Sequence, residues 1–194
     1  MRVIAGSAKR TTLKMPGQGK VRPTADRVKE ALFSILGSGV QEAEILDLFA
    51  GSGALGIEAL SRGGANCVFV EKDKRVMGTL KKNLENTKLL ERAFLINNDV
   101  YKGLKLLARK GAAFDYIFMD PPYGQQLELG ALEEICSLKL LKSYGIVVVE
   151  SHKKQMFPDK VSSLKKVRCE KYGDTLLTLF NNPTVQEEEE IRCE

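Results

Sequence analysis

The chain has 194 residues, which fits one α/β domain with at most a small appendage. Apolar residues make up 43% and charged residues 28%, the balance of a soluble globular protein with a real core, and no apolar run reaches the length that spans a bilayer, which excludes a membrane-spanning chain. The net charge of +5 is unevenly spread: residues 1–36 carry eight basic side chains against two acids, and residues 187–194 carry five acids against Arg192. A basic arm of this kind suits a polyphosphate partner such as nucleic acid, and it also suits a merely solvated surface.

The start lacks the long apolar segment of a signal peptide, so the chain is expected in the cytoplasm, with no membrane contact, and as a monomer. Four scattered cysteines form no C-x-x-C pair and only one histidine, His152, is present. No metal site is expected, and the thiols read as reduced and packed like small apolar groups.

In chain order, residues 1–16 read as a short hairpin or an extended arm. Pro23 and Thr24 open a helix with Thr24 as its N-cap, and Val28, Ala31, Leu32, Ile35 and Leu36 repeat at helical spacing. From Ile45 strands and helices alternate. Strands are predicted over 45–49, 66–71, 93–97, 114–120 and 145–150. Helices are predicted from about Gly53 to the Arg62-Gly63-Gly64 stop, after an Asp73 cap, over 102–110 and over 127–141. Residues 166–172 and 175–180 read as two closing strands around Gly173-Asp174. The near-continuous apolar strands imply a doubly wound, mostly parallel sheet with an antiparallel C-terminal hairpin. Beyond Pro183 the acidic tail reads as disordered. The expected division is a basic arm and helix over 1–40, a catalytic domain over 41–182 and the tail over 183–194.

Acids stand at the carboxyl ends of successive strands, where open parallel sheets bind ligands: Asp47 before the Gly51-Ser52-Gly53 turn, then Glu71, Asp99 and Asp120. Gly51, Gly53 and Gly56 also satisfy a dinucleotide pattern, with Glu71 at the usual spacing. The acid in the run up to that turn disfavours a pyrophosphate and suits a cationic ligand, and the chain is too short for a separate substrate domain. S-adenosyl-L-methionine, which carries an ammonium and a sulfonium and no phosphate, fits better. Glu71 is then expected on the ribose hydroxyls and Asp99 on the adenine amino group, with the glycine turn allowing close backbone approach. Asp120-Pro121-Pro122-Tyr123 supplies acceptors on a stiffened turn followed by a stacking ring. That combination suits the exocyclic amino group of a planar base.

These residues carry a resemblance. The stretch DLFAGSGALGIE from Asp47, then VEKD at Val70, Asn98-Asp99 and DPPY resemble class I S-adenosylmethionine-dependent amino methyltransferases. The segment RPTADRVKEALF from Arg22 is similar to the RsmD-type family, which methylates guanine N2 in small-subunit ribosomal RNA. The resemblance implies a Rossmann-like seven-stranded sheet and an N-terminal appendage used for cofactor closure and RNA contact. It implies cofactor binding by Asp47, Phe49, Gly51, Ser52, Gly53, Glu71, Lys72, Asn98, Asp99, Val100 and Asp120, and a catalytic loop of Asp120, Pro121, Pro122 and Tyr123. Lys9, Arg10, Arg22 and Arg27 become the expected RNA contacts. Ribosomal RNA, naked or in a partly assembled small subunit, is the implied partner. The chain departs from the family's Arg-Gly-Arg-like turn, keeping the charge in Lys9 and Arg10 without the glycine. DPPY alone leaves adenine N6 open as the target, and a non-catalytic RNA-binding protein or a nicotinamide oxidoreductase would share parts of the pattern.

Overall fold

The structure is a computed structural model that describes residues 1–16, 23–122 and 127–182. The alternation expected from periodicity is present. After helix α1 (Pro23–Leu36) and a 3-10 turn come β1 (Glu44–Asp47), α2 (Ala54–Ser61), β2 (Asn66–Val70) and α3 (Lys74–Thr87). They are followed by β3 (Ala93–Ile96), α4 (Val100–Arg109), β4 (Phe114–Met119) and α5 (Leu127–Ser137). The chain then lays down β5 (Leu141–His152), β6 (Lys160–Val161), β7 (Leu164–Tyr172) and β8 (Thr175–Asn181). The sheet order is β3-β2-β1-β4-β5-β8-β7-β6. The first five strands in that row are parallel, and β8, β7 and β6 are antiparallel. This is the doubly wound sheet with a reversed hairpin that the sequence implies, with a two-residue strand, β6, added at the edge.

Two apolar clusters cover the faces. One joins the arm, α1, α2 and α3 through Val3, Leu32, Phe33, Leu60 and Leu80. The other joins α4 and α5 to the opposite face through Leu104, Leu107, Leu132 and Ile135. Among the described residues no helix is long and apolar enough to cross a membrane.

Some local expectations shift. Helix α1 already includes Pro23, so Thr24 falls in its first turn and is not the cap; proline suits that turn because its missing N–H would be unpaired there. Helix α5 stops at Ser137, short of the predicted Leu141. Lys139 takes a left-handed φ of 53°, and the Leu140 N–H closes back on the Ile135 carbonyl. Leu141 pairs with Phe114 as a strand, and residues 142–145 bulge out opposite Asp115 before regular pairing resumes at Tyr116 and Ile146. Leu138, Leu140 and Leu141 continue the apolar run of the predicted helix, but their side chains serve the sheet core. The acidic tail from Pro183 lies outside the described residues.

The arm, residues 1–16, folds back on itself with an Arg2–Thr12 bridge and docks on α2. Glu58 holds it there. Its oxygens accept the N–H groups of Ile4 (2.7 Å) and Ala5 (3.0 Å), and they face Lys29 Nζ (3.3 Å) and Arg62 Nε (2.8 Å). Glu58 is 0% exposed and Lys29 2%. Lys29 is therefore an internal cation, although by sequence it belongs to the basic N-terminal segment; burial pushes its pKa down and Glu58 pulls it back up. Removing Glu58 leaves Lys29 buried without its counter-charge. Glu58→Ala is expected to destabilise the fold by about 3–5 kcal/mol in urea titrations. Lys29→Met, which leaves Glu58 with Arg62 and two amides, is expected to cost clearly less.

Candidate active site

Register places the acids. β1 pairs Asp47 with Phe69 of β2 and with Phe118 of β4, and β4 pairs Met119 with Val149 of β5. Extending each register past the strand ends puts Phe49, Glu71, Asp120 and Glu150 in one row across the sheet, with alternate side chains on the same face. All four line a single cavity of about 680 Å³. That is within the usual size of a small-molecule site. Gly51, Lys72, Asn98, Asp99, Val100, Pro121 and Pro122 also line it. Of the residues expected at the cofactor and the base, all those described gather at this one place except Asp47, Ser52 and Gly53; the expected RNA contacts among the described residues lie elsewhere.

Asp47, Ser52 and Gly53 do not line the cavity. Asp47 lies two residues short of the row and is 2% exposed. Its Oδ2 accepts the Gly56 N–H (3.0 Å), so it braces the start of α2 from beneath the turn. Gly53 caps α2 with a φ of 80°, and a Cβ there would run into Leu80. The Ser52 carbonyl accepts from Asn83 Nδ2 (2.9 Å). These three shape the turn from behind. Tyr123 and Arg22 lie outside the described residues. Lys9, Arg10 and Arg27 are exposed; Arg10 takes a φ of 71°, the left-handed conformation that glycine adopts without strain.

Glu71 is pre-oriented. Its Oε2 accepts the Gly51 N–H (3.0 Å) and its Oε1 accepts the Asp73 N–H (2.8 Å). Each oxygen keeps a lone pair for a ligand donor. Asn97, which the sequence reading passes over, ties down the backbone behind it: its Nδ2 donates to the carbonyls of Glu71 (2.8 Å) and Lys72 (3.1 Å). Asp99 caps α4, accepting the Lys102 N–H on Oδ1 (3.1 Å), and that bond holds its carboxyl below the usual range.

Apolar and aromatic walls come from Leu48, Val70, Val76 and Leu127, with faces from Phe49 and Tyr101; Pro16 brings the end of the arm to the rim. Of these walls the sequence reading named Phe49 and missed the others, because apolar side chains on strands and helices look like ordinary core. It also missed Glu150. That residue ends the apolar run 147–149 as Asp120 ends its own strand, and the same rule applied evenly finds it.

The described lining holds four acids, Glu71, Asp99, Asp120 and Glu150, against one cation, Lys72. The electrostatic consequence is visible in the pKa values. Burial pushes Asp47 up to about 7, with further repulsion from Asp120 and Glu71. Asp120 and Glu150 are both raised, first by the protein walls around them; Glu150 also feels Asp120 directly. Asp120 is nonetheless reached by water through the cavity mouth, which softens its shift.

This sheet is that of a class I S-adenosylmethionine-dependent methyltransferase. The Thermus thermophilus 16S rRNA N2 G1207 methyltransferase, solved in complex with AdoMet and guanosine, aligns with a TM-score of 0.68 at 26% identity, over 86% of this chain and 44% of that one. Sequence likeness runs further. Ribosomal RNA small subunit methyltransferase D of Haemophilus influenzae is 40% identical over 154 residues, 79% of each chain. The Escherichia coli protein of the same name is 38% identical over 151 residues, 78% of this chain and 71% of that one. The family described as conserved hypothetical protein 95 matches residues 1–181, and the chain belongs to that family, the RsmD-type methyltransferases.

A raised carboxyl pKa has a definite sign for stability. The folded protein keeps a proton on Asp47 between its ordinary 3.8 and about 7, where the unfolded chain has lost it. Stability from this group is therefore full below that window and falls as pH rises through it. The thermal midpoint of the free protein is expected to drop between about pH 4 and pH 7, with Asp47→Asn flattening the slope; calorimetric scans across pH check this.

Proposed function

We propose that this protein transfers a methyl group from S-adenosyl-L-methionine to the exocyclic N2 of a guanine in small-subunit ribosomal RNA. The observation that carries the reading is the single row of Glu71, Phe49, Asp120 and Glu150 facing one cavity. β2 and β4 flank β1, so Glu71 and Asp120 stand two strand spacings apart, roughly 10 Å. That separation suits a nucleoside at one end and a second planar group at the other.

The residues fit the cofactor. An acid-rich lining repels a pyrophosphate and favours a cation, which weighs against a nicotinamide dinucleotide. Glu71 would accept from the ribose hydroxyls with its free lone pairs, and Asp99 would take the adenine amino group with Oδ2. When bound, S-adenosyl-L-methionine supplies an electrophilic methyl group on a sulfonium.

An amino group on guanine is a poor nucleophile because its lone pair is delocalised into the ring. The Asp120 carboxylate and the Pro121 carbonyl would accept its two hydrogens and turn the lone pair toward the methyl carbon. Asp120 and Pro121 would hold the amino nitrogen in line while the methyl group passes to it from the bound cofactor, whose sulfur keeps the bonding electron pair. The nitrogen, acidic once methylated, gives its proton to a neighbouring carboxylate or to water. Orientation and electrostatics supply most of the rate, so no strong base is needed. Tyr123, next to Pro122, would stack on the base, as an aromatic side chain does on any nucleobase.

Nucleoside analysis of small-subunit RNA methylated with labelled cofactor is expected to give N2-methylguanosine; label on adenine N6 overturns the choice of base. Asp120→Ala is expected to abolish turnover while leaving calorimetric cofactor binding largely present, and unchanged turnover refutes its role. Replacing the exposed Lys9, Arg10 and Arg27 with neutral residues is expected to flatten the salt dependence of RNA binding. The slope should fall by about 0.7–0.9 log units per lost phosphate contact.

A further inference from the structure

We propose that Glu150 is a second base-reading carboxylate: in register beside Asp120 and open to the same cavity, it accepts the N1–H of the target guanine while Asp120 accepts from N2. The inference rests on the guanine-N2 reading above and deepens it.

The placement follows from the sheet. β4 and β5 run parallel through Phe118–Val148 and Met119–Val149, so the next residues outward, Asp120 and Glu150, are neighbours on one face. Strand spacing puts their backbones roughly 5 Å apart. Both line the cavity, and among the described residues neither carboxylate receives a hydrogen bond. Two acceptors side by side match an edge that presents two donors side by side. Guanine offers N1–H next to its amino group. Adenine offers an amino group next to a bare N1 lone pair, which an ionised Glu150 repels.

The protonation state is consistent with this. Burial holds both carboxyls above their usual range in the free protein and Asp120 raises Glu150 further, so the pair tends to keep one proton. A cationic ligand bound beside Asp120 lowers both and converts the pair into two acceptors. The cofactor thereby prepares the guanine-reading edge.

The test uses small-subunit RNA carrying, at the methylated position, guanosine, 2-aminopurine riboside or 3-deazaguanosine. 2-Aminopurine keeps the amino group but turns N1 into an acceptor; 3-deazaguanine leaves N1–H intact. Wild-type enzyme is expected to lose about 10- to 100-fold in kcat/KM on 2-aminopurine, and to keep 3-deazaguanine within a few-fold of guanine. Glu150→Gln, whose amide can turn to donate to N1, is expected to narrow the guanine preference at least about tenfold while cofactor Kd stays within about twofold. Equal wild-type rates on guanine and 2-aminopurine overturn the proposal whether or not the variant folds. An unchanged preference in a cofactor-binding Glu150→Gln enzyme overturns it too. If guanine N2 is still methylated in either case, only the role of Glu150 falls; if adenine N6 is the product, the proposed function falls with it.

Discussion

The register of the parallel strands is the constraint on which the site depends. Side chains alternate faces along a strand, so a slip of one residue in β2, β4 or β5 would turn Glu71, Asp120 or Glu150 away from the cavity. The apolar residues that precede each acid prevent that slip. Val70 is 1% exposed, Met119 0% and Val149 0%, and any shift would carry such side chains out of the core. The hydrophobic pattern thus fixes where the charges emerge. Asp47 shows the same rule from the other side: one pleat deeper, the same type of side chain becomes a buried brace for α2.

Gathering carboxylates has a cost that the fold only partly offsets. Backbone amides satisfy both oxygens of Glu71, one of Asp99 and one of Asp47. Asp120 and Glu150 have no such support among the described residues, and Asp120 adds repulsion to the burial that already raises Glu150. The acids that need only to be held in place are held by the backbone. The two that stay unsatisfied face the end of the cavity assigned to the base, where ligand donors and a nearby positive charge would relieve them. Unpaired polar groups in a cleft are poor for stability and well suited to recognition.

Much of this was legible in the sequence because strand-tip acids after apolar runs are local signals. Asp120 after 114–119 and Glu71 after 66–70 can be read without knowing any contact. What stayed hidden depends on partners far away in the chain. Lys29 reads as one more basic residue near a basic arm until α2 brings Glu58 beneath it, and Asn97 reads as the last residue of a strand until β2 is laid beside β3. The premature end of α5 is similar: the apolar run continues through Leu140 to Leu141, but Leu141 is recruited by Phe114. Glu150 was legible and passed over. It closes the strand predicted over 145–150, so the rule that picks out Asp120 reaches it as well; only the structure shows the strand running on to His152 in antiparallel pairing with β8.

The arm shows how the appendage and the cavity form one mechanical unit. Asn83, 0% exposed on α3, accepts the Lys14 N–H (2.8 Å) and donates to the Lys14 carbonyl (2.9 Å) and the Ser52 carbonyl (2.9 Å). One side chain therefore clamps the end of the arm to the glycine-rich turn, and two residues later Pro16 lines the cavity. At the other end of the arm Glu58 and Ser61 fix Ile4, Ala5, Ser7 and Ala8 to α2. With both ends anchored on helices that start and brace the cofactor turn, the arm cannot move far without disturbing that turn. Exposed Lys9 and Arg10 sit on the loop between the two anchors. A polyanion held there would be held at a fixed position relative to the acidic row, because buried hydrogen bonds span the path between them. On the proposed reading, contacts made there with a distant phosphate would contribute to aligning a base with Asp120 rather than to tethering alone.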